Sequence, residues 1–298
     1  MTTSLTRDLF RRVGFVSVLL LAGSASQAQQ QAQQPAAKPP VATPIDEKKD
    51  AKPAGQPAKE GEGPKLESSS MNGLVKMPAA ATPVPRQDDW WKKRHEGFNA
   101  RVKEAAQRGD AQILFIGDSI TQGWEGEGKQ AWADTFAKHG AINLGIGGDR
   151  TEHVLWRLRN GNLEGLAKPA SGQAPKVAVL MIGTNNCANT EPVDTATGIA
   201  MIVRELRAQL PETKVLLLAI FPREEKPGAL RAKNTKVNEL VKPLGDGKHV
   251  FFLDIGPSFL EADGTLSKKI MPDALHLSPE GYQRWAKAIE PTLADLLK

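Results

Sequence analysis

Residues 112–117 have the sequence Gln-Ile-Leu-Phe-Ile-Gly, an apolar run of strand length that is followed directly by Asp118 and Ser119. Similar apolar runs recur at residues 141–144, 176–183, 214–220 and 248–255. Each is predicted to form a buried strand, because apolar runs of about four to eight residues are typical of sheet interiors. Strands that are apolar on both faces indicate a parallel sheet with helices on both sides, and thus an α/β fold.

Helical patterns lie between these runs, which supports a parallel sheet because parallel strands need long crossover connections. The predicted helices cover residues 89–107, 129–138, 151–158, 192–210, 229–241 and 278–297. The last helix has a clear start, since Ser278 is a capping residue and Pro279 suits the first helical position. Asp88 and Asp89 are predicted to cap the first helix.

The first 85 residues have a different composition from the rest. Arg7, Arg11 and Arg12 precede a short apolar run at residues 13–22, and small residues follow, including Ser26 and Ala28. This pattern predicts a secretory signal peptide over residues 1–28, and so an exported protein, periplasmic or secreted. An uncleaved anchor or a chance apolar run is the alternative.

Residues 29–85 are predicted to form a disordered linker rich in Pro, Ala, Gln and Lys. They contain ten of the 21 prolines and no Phe, Trp or Tyr. Such a composition buries too little apolar area to offset the entropy lost on ordering. Residues 86–298 are therefore the predicted folded domain.

Composition excludes several classes of protein. With one cysteine in 298 residues, neither an internal disulfide framework nor a Cys-rich metal site can form. The net charge is +5, but part of it lies before residue 86, and no basic patch with interleaved aromatic residues follows. Nucleic acid is therefore not an expected partner. No apolar run has the roughly 20 residues of a membrane-spanning helix.

Four motifs follow predicted strands or lie in the last loop, where active sites of parallel sheets are found. They are Gly117-Asp118-Ser119-Ile120, Gly145-Ile146-Gly147-Gly148-Asp149, Gly183-Thr184-Asn185-Asn186 and Asp273-Ala274-Leu275-His276. Ser119 can act as a nucleophile if a base removes its proton, and His276 is a suitable base. Asp273 can accept the other ring N–H of His276 and hold the imidazole in one tautomer.

A negative oxygen that forms on an attacked ester needs hydrogen-bond donors. The backbone N–H groups of Ser119 and Gly148 and the side-chain amide of Asn185 are predicted to form this oxyanion hole. Each motif alone has a simpler interpretation, such as a turn, half a metal site or a phosphate loop. A dinucleotide loop would need glycine where Arg150 stands. The joint occurrence of the four motifs favours acyl transfer.

On these motifs the sequence resembles the SGNH/GDSL hydrolase superfamily, over the whole of residues 86–298. It is most similar to the catalytic subunits of intracellular type I platelet-activating-factor acetylhydrolase. This likeness rests on residues 144–149, 153–158, 183–186, 221–224 and 230–234, with Val237 and Asn238. The resemblance implies a flavodoxin-like three-layer α/β/α sandwich with a five-stranded parallel sheet. It implies hydrolysis of short acyl esters with neither metal nor cofactor, and it allows a homodimer.

Two features bear on the substrate. Ile120, Thr184 and Leu275 flank the catalytic positions and are predicted to line a small acyl site, which favours acetyl esters. Trp124 is predicted to line the leaving-group side, although core packing is the alternative for these apolar side chains. The mammalian relatives are cytosolic, whereas this chain carries a predicted export signal. Acetylated carbohydrate is therefore a better expected substrate than a phospholipid mediator.

The sequence therefore predicts an exported serine esterase for short-chain esters. Two alternatives stay open on the same fold. One is a lysophospholipase or thioesterase for longer chains, and the other is a carbohydrate-binding protein without catalytic activity.

Overall fold

The computed structural model describes residues Lys76–Lys298. The predicted signal peptide 1–28 and residues 29–75 of the predicted linker lie outside the described residues. Five strands form one parallel sheet in the order β2-β1-β3-β4-β5. The strands are β1 Ile113–Gly117, β2 Ile142–Gly145, β3 Val177–Met181, β4 Lys214–Leu218 and β5 Val250–Leu253. The predicted five-stranded parallel sheet is confirmed.

Seven α-helices accompany the sheet in the described residues. They are α1 Asp89–Arg108, α2 Ser119–Gln122, α3 Lys129–Thr135, α4 Thr151–Arg159, α5 Pro192–Gln209, α6 Ala229–Val241 and α7 Pro279–Leu296. Only α2 was not predicted, because a four-residue helix is too short to show a helical period. None of the helices in residues 76–298 is both long and apolar enough to cross a membrane.

Alternate residues of each strand face opposite sides of the sheet. In β1, Leu114 and Ile116 enter one hydrophobic core, while Ile113 and Phe115 enter the other. Helices α1, α4, α5 and α6 pack on the first side, and α3 and α7 pack on the second. The result is the expected three-layer α/β/α sandwich, in which the carboxyl ends of all five strands lie at the same edge of the sheet.

The two predicted helix caps have different outcomes. Ser278 caps α7, since its hydroxyl accepts a hydrogen bond from the N–H of Gly281 at 3.2 Å and Pro279 follows it. Asp88 stands at the N-cap position of α1 but makes no capping bond. Its carboxylate instead accepts from Arg86 Nε at 3.0 Å. The prediction of a side-chain cap at Asp88 is therefore wrong, because a nearby cation binds the carboxylate.

The end of the predicted linker is also corrected. Ala79–Ala81 form a short 3₁₀ turn in which Ala80 and Ala81 are buried. The Ala80 carbonyl accepts from Thr151 Oγ1 at 2.7 Å and lies against Gly198 of α5, where a Cβ would stand only 2.2 Å from it. The folded part thus begins before residue 86, because small side chains let this segment pack onto α4 and α5.

Candidate active site

The nucleophile candidate stands at the junction of β1 and α2. Asp118 is the N-cap of α2, and its Oδ1 accepts from the N–H of Ile120 at 3.0 Å. Ser119 is the first residue of α2, so its own N–H has no partner within the helix. A side chain on Gly117 would collide with Thr121 and with the Met181 carbonyl, so this tight turn requires glycine. The turn leaves Ser119 partly exposed at the carboxyl edge of the sheet.

The structure brings Ser119, His276 and Asp273 into one hydrogen-bonded line. Ser119 Oγ lies 2.9 Å from His276 Nε2, and His276 Nδ1 lies 2.7 Å from Asp273 Oδ2. With Nδ1–H donating to the carboxylate, Nε2 carries the lone pair that can accept the serine proton. This is the geometry needed for general-base activation of a hydroxyl group.

Asp273 also shapes the turn that carries the imidazole. Its Oδ1 accepts from the backbone N–H groups of Leu275 at 3.1 Å and His276 at 2.7 Å. Partial burial alone would raise the pKa of Asp273, but the hydrogen bonds from His276 and Leu275 outweigh it and hold the pKa below its usual value. The carboxyl group is therefore charged at neutral pH, as its predicted role requires.

The glycine loop after β2 lies against the serine. The N–H of Ile146 donates to the Gly117 carbonyl at 3.3 Å, and the N–H of Gly147 donates to Gln122 Oε1 at 2.7 Å. A Cβ on Gly147 would stand 3.8 Å from the Cβ of Ser119. Gly148 is exposed with φ +75°, and in residues 76–298 no acceptor takes its N–H or that of Ser119. Both N–H groups are available to a ligand.

Asn185 is tied to the same loop. Its Nδ2 donates one hydrogen bond to the Asp149 carbonyl at 2.9 Å, and the second N–H of the amide has no acceptor in residues 76–298. The neighbouring Asn186 is buried instead, where its Oδ1 accepts from the N–H of Thr151 at 3.1 Å. The two adjacent asparagines thus have separate surroundings, and only Asn185 is partly exposed.

A buried ion pair beneath the glycine loop was not predicted. Asp149 and Arg157 are fully buried and joined by an Oδ2–Nε hydrogen bond of 2.8 Å. Trp91 Nε1 donates to Asp149 Oδ1 at 2.6 Å, and Arg157 Nη1 donates to Asn162 Oδ1 at 2.6 Å. Burial lowers the pKa of Arg157, and the adjacent Asp149 charge offsets part of that effect. Asp149 precedes α4 and Arg157 lies within it, and no sequence pattern indicated that the two would pair.

Asp118 is the second buried carboxyl group near the serine. Its Oδ2 has no hydrogen-bond partner among the described residues. Burial is the main cause that raises the pKa of Asp118 to about 7, and the negative charge of Asp149 adds to it, while the hydrogen bond from Ile120 opposes the shift. This carboxyl group therefore titrates near neutral pH inside the protein.

The prediction that Trp124 lines the leaving-group side is wrong. Its side chain is 1% exposed and packs against Tyr282 and Trp285, with ring centroids 4.6 and 4.8 Å away. The turn that follows α2 directs Trp124 back onto α7, so the ring belongs to the hydrophobic core on that side of the sheet.

The predicted acyl-site residues also require correction. Ile120 and Thr184 are each 1% exposed, so neither side chain offers free surface to a substrate. Thr184 Oγ1 accepts from Arg223 Nη1 at 3.3 Å and from Asn234 Nδ2 at 3.4 Å. Of the three predicted residues, only Leu275 is partly exposed beside His276. Within residues 76–298, no cluster of three His, Cys, Asp or Glu side chains could hold a metal ion.

Known proteins resemble this chain in sequence. Residues 115–284 match the model of the GDSL-like lipase/acylhydrolase family. The platelet-activating factor acetylhydrolase IB subunit alpha2 of Rattus norvegicus is 39% identical over 223 residues, covering 74% of this chain and 91% of the relative.

Solved structures share the fold. A GDSL-like lipase from Bacteroides thetaiotaomicron superposes with a TM-score of 0.52 at 23% identity, covering 68% of this chain and 97% of that one. A catalytic mutant of an acetylxylan esterase from Geobacillus stearothermophilus superposes with a TM-score of 0.50 at 18% identity, covering 63% and 95%. At these identities, the likeness concerns the architecture alone.

Proposed function

The chain belongs to the GDSL-like lipase/acylhydrolase family and is an ester hydrolase, and we propose that it is an exported serine esterase for short-chain, above all acetyl, esters. Ser119 is the nucleophile, His276 the base and Asp273 the residue that orients His276. The observation that carries this proposal is the continuous line of hydrogen bonds from Ser119 Oγ through both nitrogens of His276 to Asp273.

The first half of the reaction forms an acyl-enzyme. His276 Nε2 takes the proton of Ser119 as Oγ attacks the ester carbonyl, and the carbonyl oxygen becomes negative. The free N–H groups of Ser119, Gly148 and Asn185 are the proposed donors to that oxygen. The C–O bond to the alcohol then breaks, and His276 returns the proton to the leaving oxygen.

The second half restores the serine. His276 removes a proton from water, whose oxygen attacks the acyl carbon through a second tetrahedral intermediate. The bond to Ser119 Oγ breaks, the serine oxygen regains a proton from His276, and the carboxylic acid departs. Asp273 stabilises the positively charged imidazole in both halves, which its own negative charge at neutral pH supports.

A preference for acetyl esters is supported by the relative's name, which describes an acetylhydrolase at 39% identity. Leu275 is the partly exposed apolar side chain next to His276 that can contact the acyl group. A lysophospholipase or thioesterase for longer chains is the alternative at the level of substrate. A carbohydrate-binding protein without activity is disfavoured because the proposed nucleophile, base and orienting carboxylate are all in hydrogen-bond contact.

The proposal also covers export of the protein and the class of its natural substrate. The basic and apolar pattern of residues 1–28 supports removal of a signal peptide after Ala28. Acetylated carbohydrate is the proposed substrate class outside the cytoplasm. Amino-terminal sequencing of the protein from the extracytoplasmic fraction should begin at Gln29, whereas an intact Met1 in the cytoplasmic fraction would contradict export.

The activity is tested with initial rates on p-nitrophenyl acetate, butyrate and octanoate. We expect the highest kcat/KM on acetate, and a loss of about 10³-fold or more in Ser119→Ala because the nucleophile is gone. Ser171→Ala is the matched control, since Ser171 contacts the end of α1 at the opposite edge of the sheet. Equal rates on acetate and octanoate would contradict the acyl preference. Full activity in Ser119→Ala would contradict the mechanism.

A further inference from the structure

Two residues other than glycine have a positive φ in the described part of the chain, and they are hydrogen-bonded to each other. Glu224 has φ 67° and Ala274 has φ 58°. The N–H of Glu224 donates to the Ala274 carbonyl at 2.9 Å. Ala274 lies between Asp273 and His276, so this bond joins the loop after β4 directly to the turn that carries the base.

A left-handed conformation is unfavourable for these residues and persists only where neighbouring contacts hold it. Arg231, in the first turn of α6, supplies such contacts to Glu224. Its backbone N–H donates to Glu224 Oε2 at 2.8 Å, and its guanidinium donates to the Glu224 carbonyl. The side chain and the main chain of Glu224 are thus both bound by one residue.

The guanidinium of Arg231 also binds the preceding residue of the same loop and one other segment. Nε donates to the Arg223 carbonyl at 2.7 Å, and Nη1 donates to the Gly264 carbonyl at 2.7 Å. The Glu225 carbonyl accepts from the N–H of Leu266 at 2.8 Å, so a second hydrogen bond joins the loop after β4 to the segment that contains Gly264. Arg231 is 8% exposed, and its guanidinium forms no ion pair within 4 Å in residues 76–298. Its side-chain hydrogen bonds therefore serve the backbone of the loop.

We propose that Arg231 is a positioning residue for the catalytic base. By holding the backbone at Arg223 and Glu224, it directs the Glu224 N–H at the Ala274 carbonyl and keeps Asp273 aligned with His276. The inference rests on the proposed roles of Asp273 and His276. Arg231 acts through that turn on the chemical step.

Arg231→Lys is the direct test, in the full-length protein with p-nitrophenyl acetate. Lysine keeps the charge but cannot reach three carbonyls in the planar arrangement of a guanidinium group. We expect kcat to fall about tenfold while KM stays within about twofold, because a misaligned base slows chemistry without removing a substrate contact. Arg204→Lys, at an exposed arginine of α5, is the matched control and should retain wild-type kcat. A kcat for Arg231→Lys within twofold of wild type would overturn the proposal.

A double variant separates positioning from general structural support. If Arg231 acts through Asp273, then Asp273→Asn combined with Arg231→Lys should have the same kcat as Asp273→Asn alone. A further tenfold loss in the double variant would show independent effects and overturn the proposal. Ser119→Ala, measured in parallel, tests the esterase mechanism by itself. Activity in that variant would contradict the proposed function. If Ser119→Ala is inactive but the reductions of kcat in Arg231→Lys and Asp273→Asn add up in the double variant, only the role of Arg231 is contradicted.

Amide hydrogen exchange in the wild-type protein tests the contact even if Arg231→Lys does not fold. The N–H of Glu224 should exchange slowly because it is bonded to the Ala274 carbonyl, although Glu225 and Lys226 beside it are exposed. Exchange of the Glu224 N–H as fast as that of Lys226 would overturn the inference.

Discussion

At the scale of single residues, Asp118 forms a structural hydrogen bond but also destabilises the fold when its buried carboxyl group is charged. Its Oδ1 accepts from Ile120, while its buried Oδ2 lacks a partner in the described part of the chain. The pKa of Asp118 is raised from 3.8 to about 7, with burial as the main cause. Between about pH 4 and 7 the folded protein therefore binds more protons than the unfolded chain. The contribution of Asp118 to the free energy of unfolding falls as the pH rises through this range.

Asp118→Asn should remove this dependence. The amide oxygen can still accept from Ile120, and the side chain no longer has to ionise in the interior. We expect the free energy of unfolding of the variant, measured relative to wild type, to be higher at pH 8 than at pH 5. The increase should be on the order of 1 kcal/mol or more. Urea unfolding at both pH values measures this change. Asp134→Asn, at an exposed carboxylate, is the control. If the free energies of unfolding of Asp118→Asn and wild type differed by the same amount at pH 5 and pH 8, the expectation would be contradicted.

At the scale of elements, the short helix α2 decides which side chains face the site. It begins at Ser119 and leads into a turn that buries Trp124 against Phe115 and Tyr282. The hydroxyl of Tyr282 in α7 donates to the Ile120 carbonyl at 2.7 Å. Helix α7 thus holds the residue next to Ser119, the proposed nucleophile. Trp124 contributes to stability rather than to substrate binding.

Trp124→Ala should therefore act on folding. Removing a buried indole costs about 3–5 kcal/mol, because the surrounding rings cannot fill the cavity. We expect a large fall in the free energy of unfolding, and an unchanged KM for p-nitrophenyl acetate in the folded fraction. Trp90→Ala is the matched control, since Trp90 is 48% exposed and should change stability by less than about 0.5 kcal/mol. A raised KM with unaltered stability would restore Trp124 to the leaving-group side.

At the scale of the whole molecule, the N-terminal segment 79–85 is part of the folded body. Besides the Ala80 contact to Thr151, the N–H of Val84 donates to the Glu152 carbonyl at 3.3 Å. Arg86 then donates to the Gly147 carbonyl at 2.8 Å, beside the glycine loop of the site. Together with Arg86, this segment connects α4 and α5 with the glycine loop.

Truncation tests the contribution of that segment. A chain that starts at residue 86 should be less stable than one that starts at residue 76, by about 1–3 kcal/mol. The shorter chain loses buried apolar area and leaves Thr151 Oγ1 without its acceptor at Ala80. Urea unfolding of the two truncated proteins under the same conditions measures the difference. Equal midpoints and slopes would show that residues 79–85 add nothing to stability.

Local sequence patterns determined the sheet and the grouping of the candidate catalytic residues. Short apolar runs alternating with helical periods specify a parallel sheet, and a parallel sheet brings all its carboxyl ends to one edge. Ser119, Gly148 and Asn185 follow such strands, so their proximity was predictable without coordinates. Asp273 and His276 were predictable as a pair because only two residues of one turn separate them.

Tertiary structure alone decided which neighbours of the candidate site are buried and what holds the turn that carries the proposed base. Trp124 and Thr184 looked like pocket residues because they are close to the site in sequence, but packing against α7 and Asn234 encloses them. The contact of Trp91 with the buried Asp149–Arg157 pair and the Arg231 contacts to two loops depend on how separate elements approach each other. Such contacts carry no sequence period, since burial and hydrogen bonding between distant segments arise only when the layers pack together.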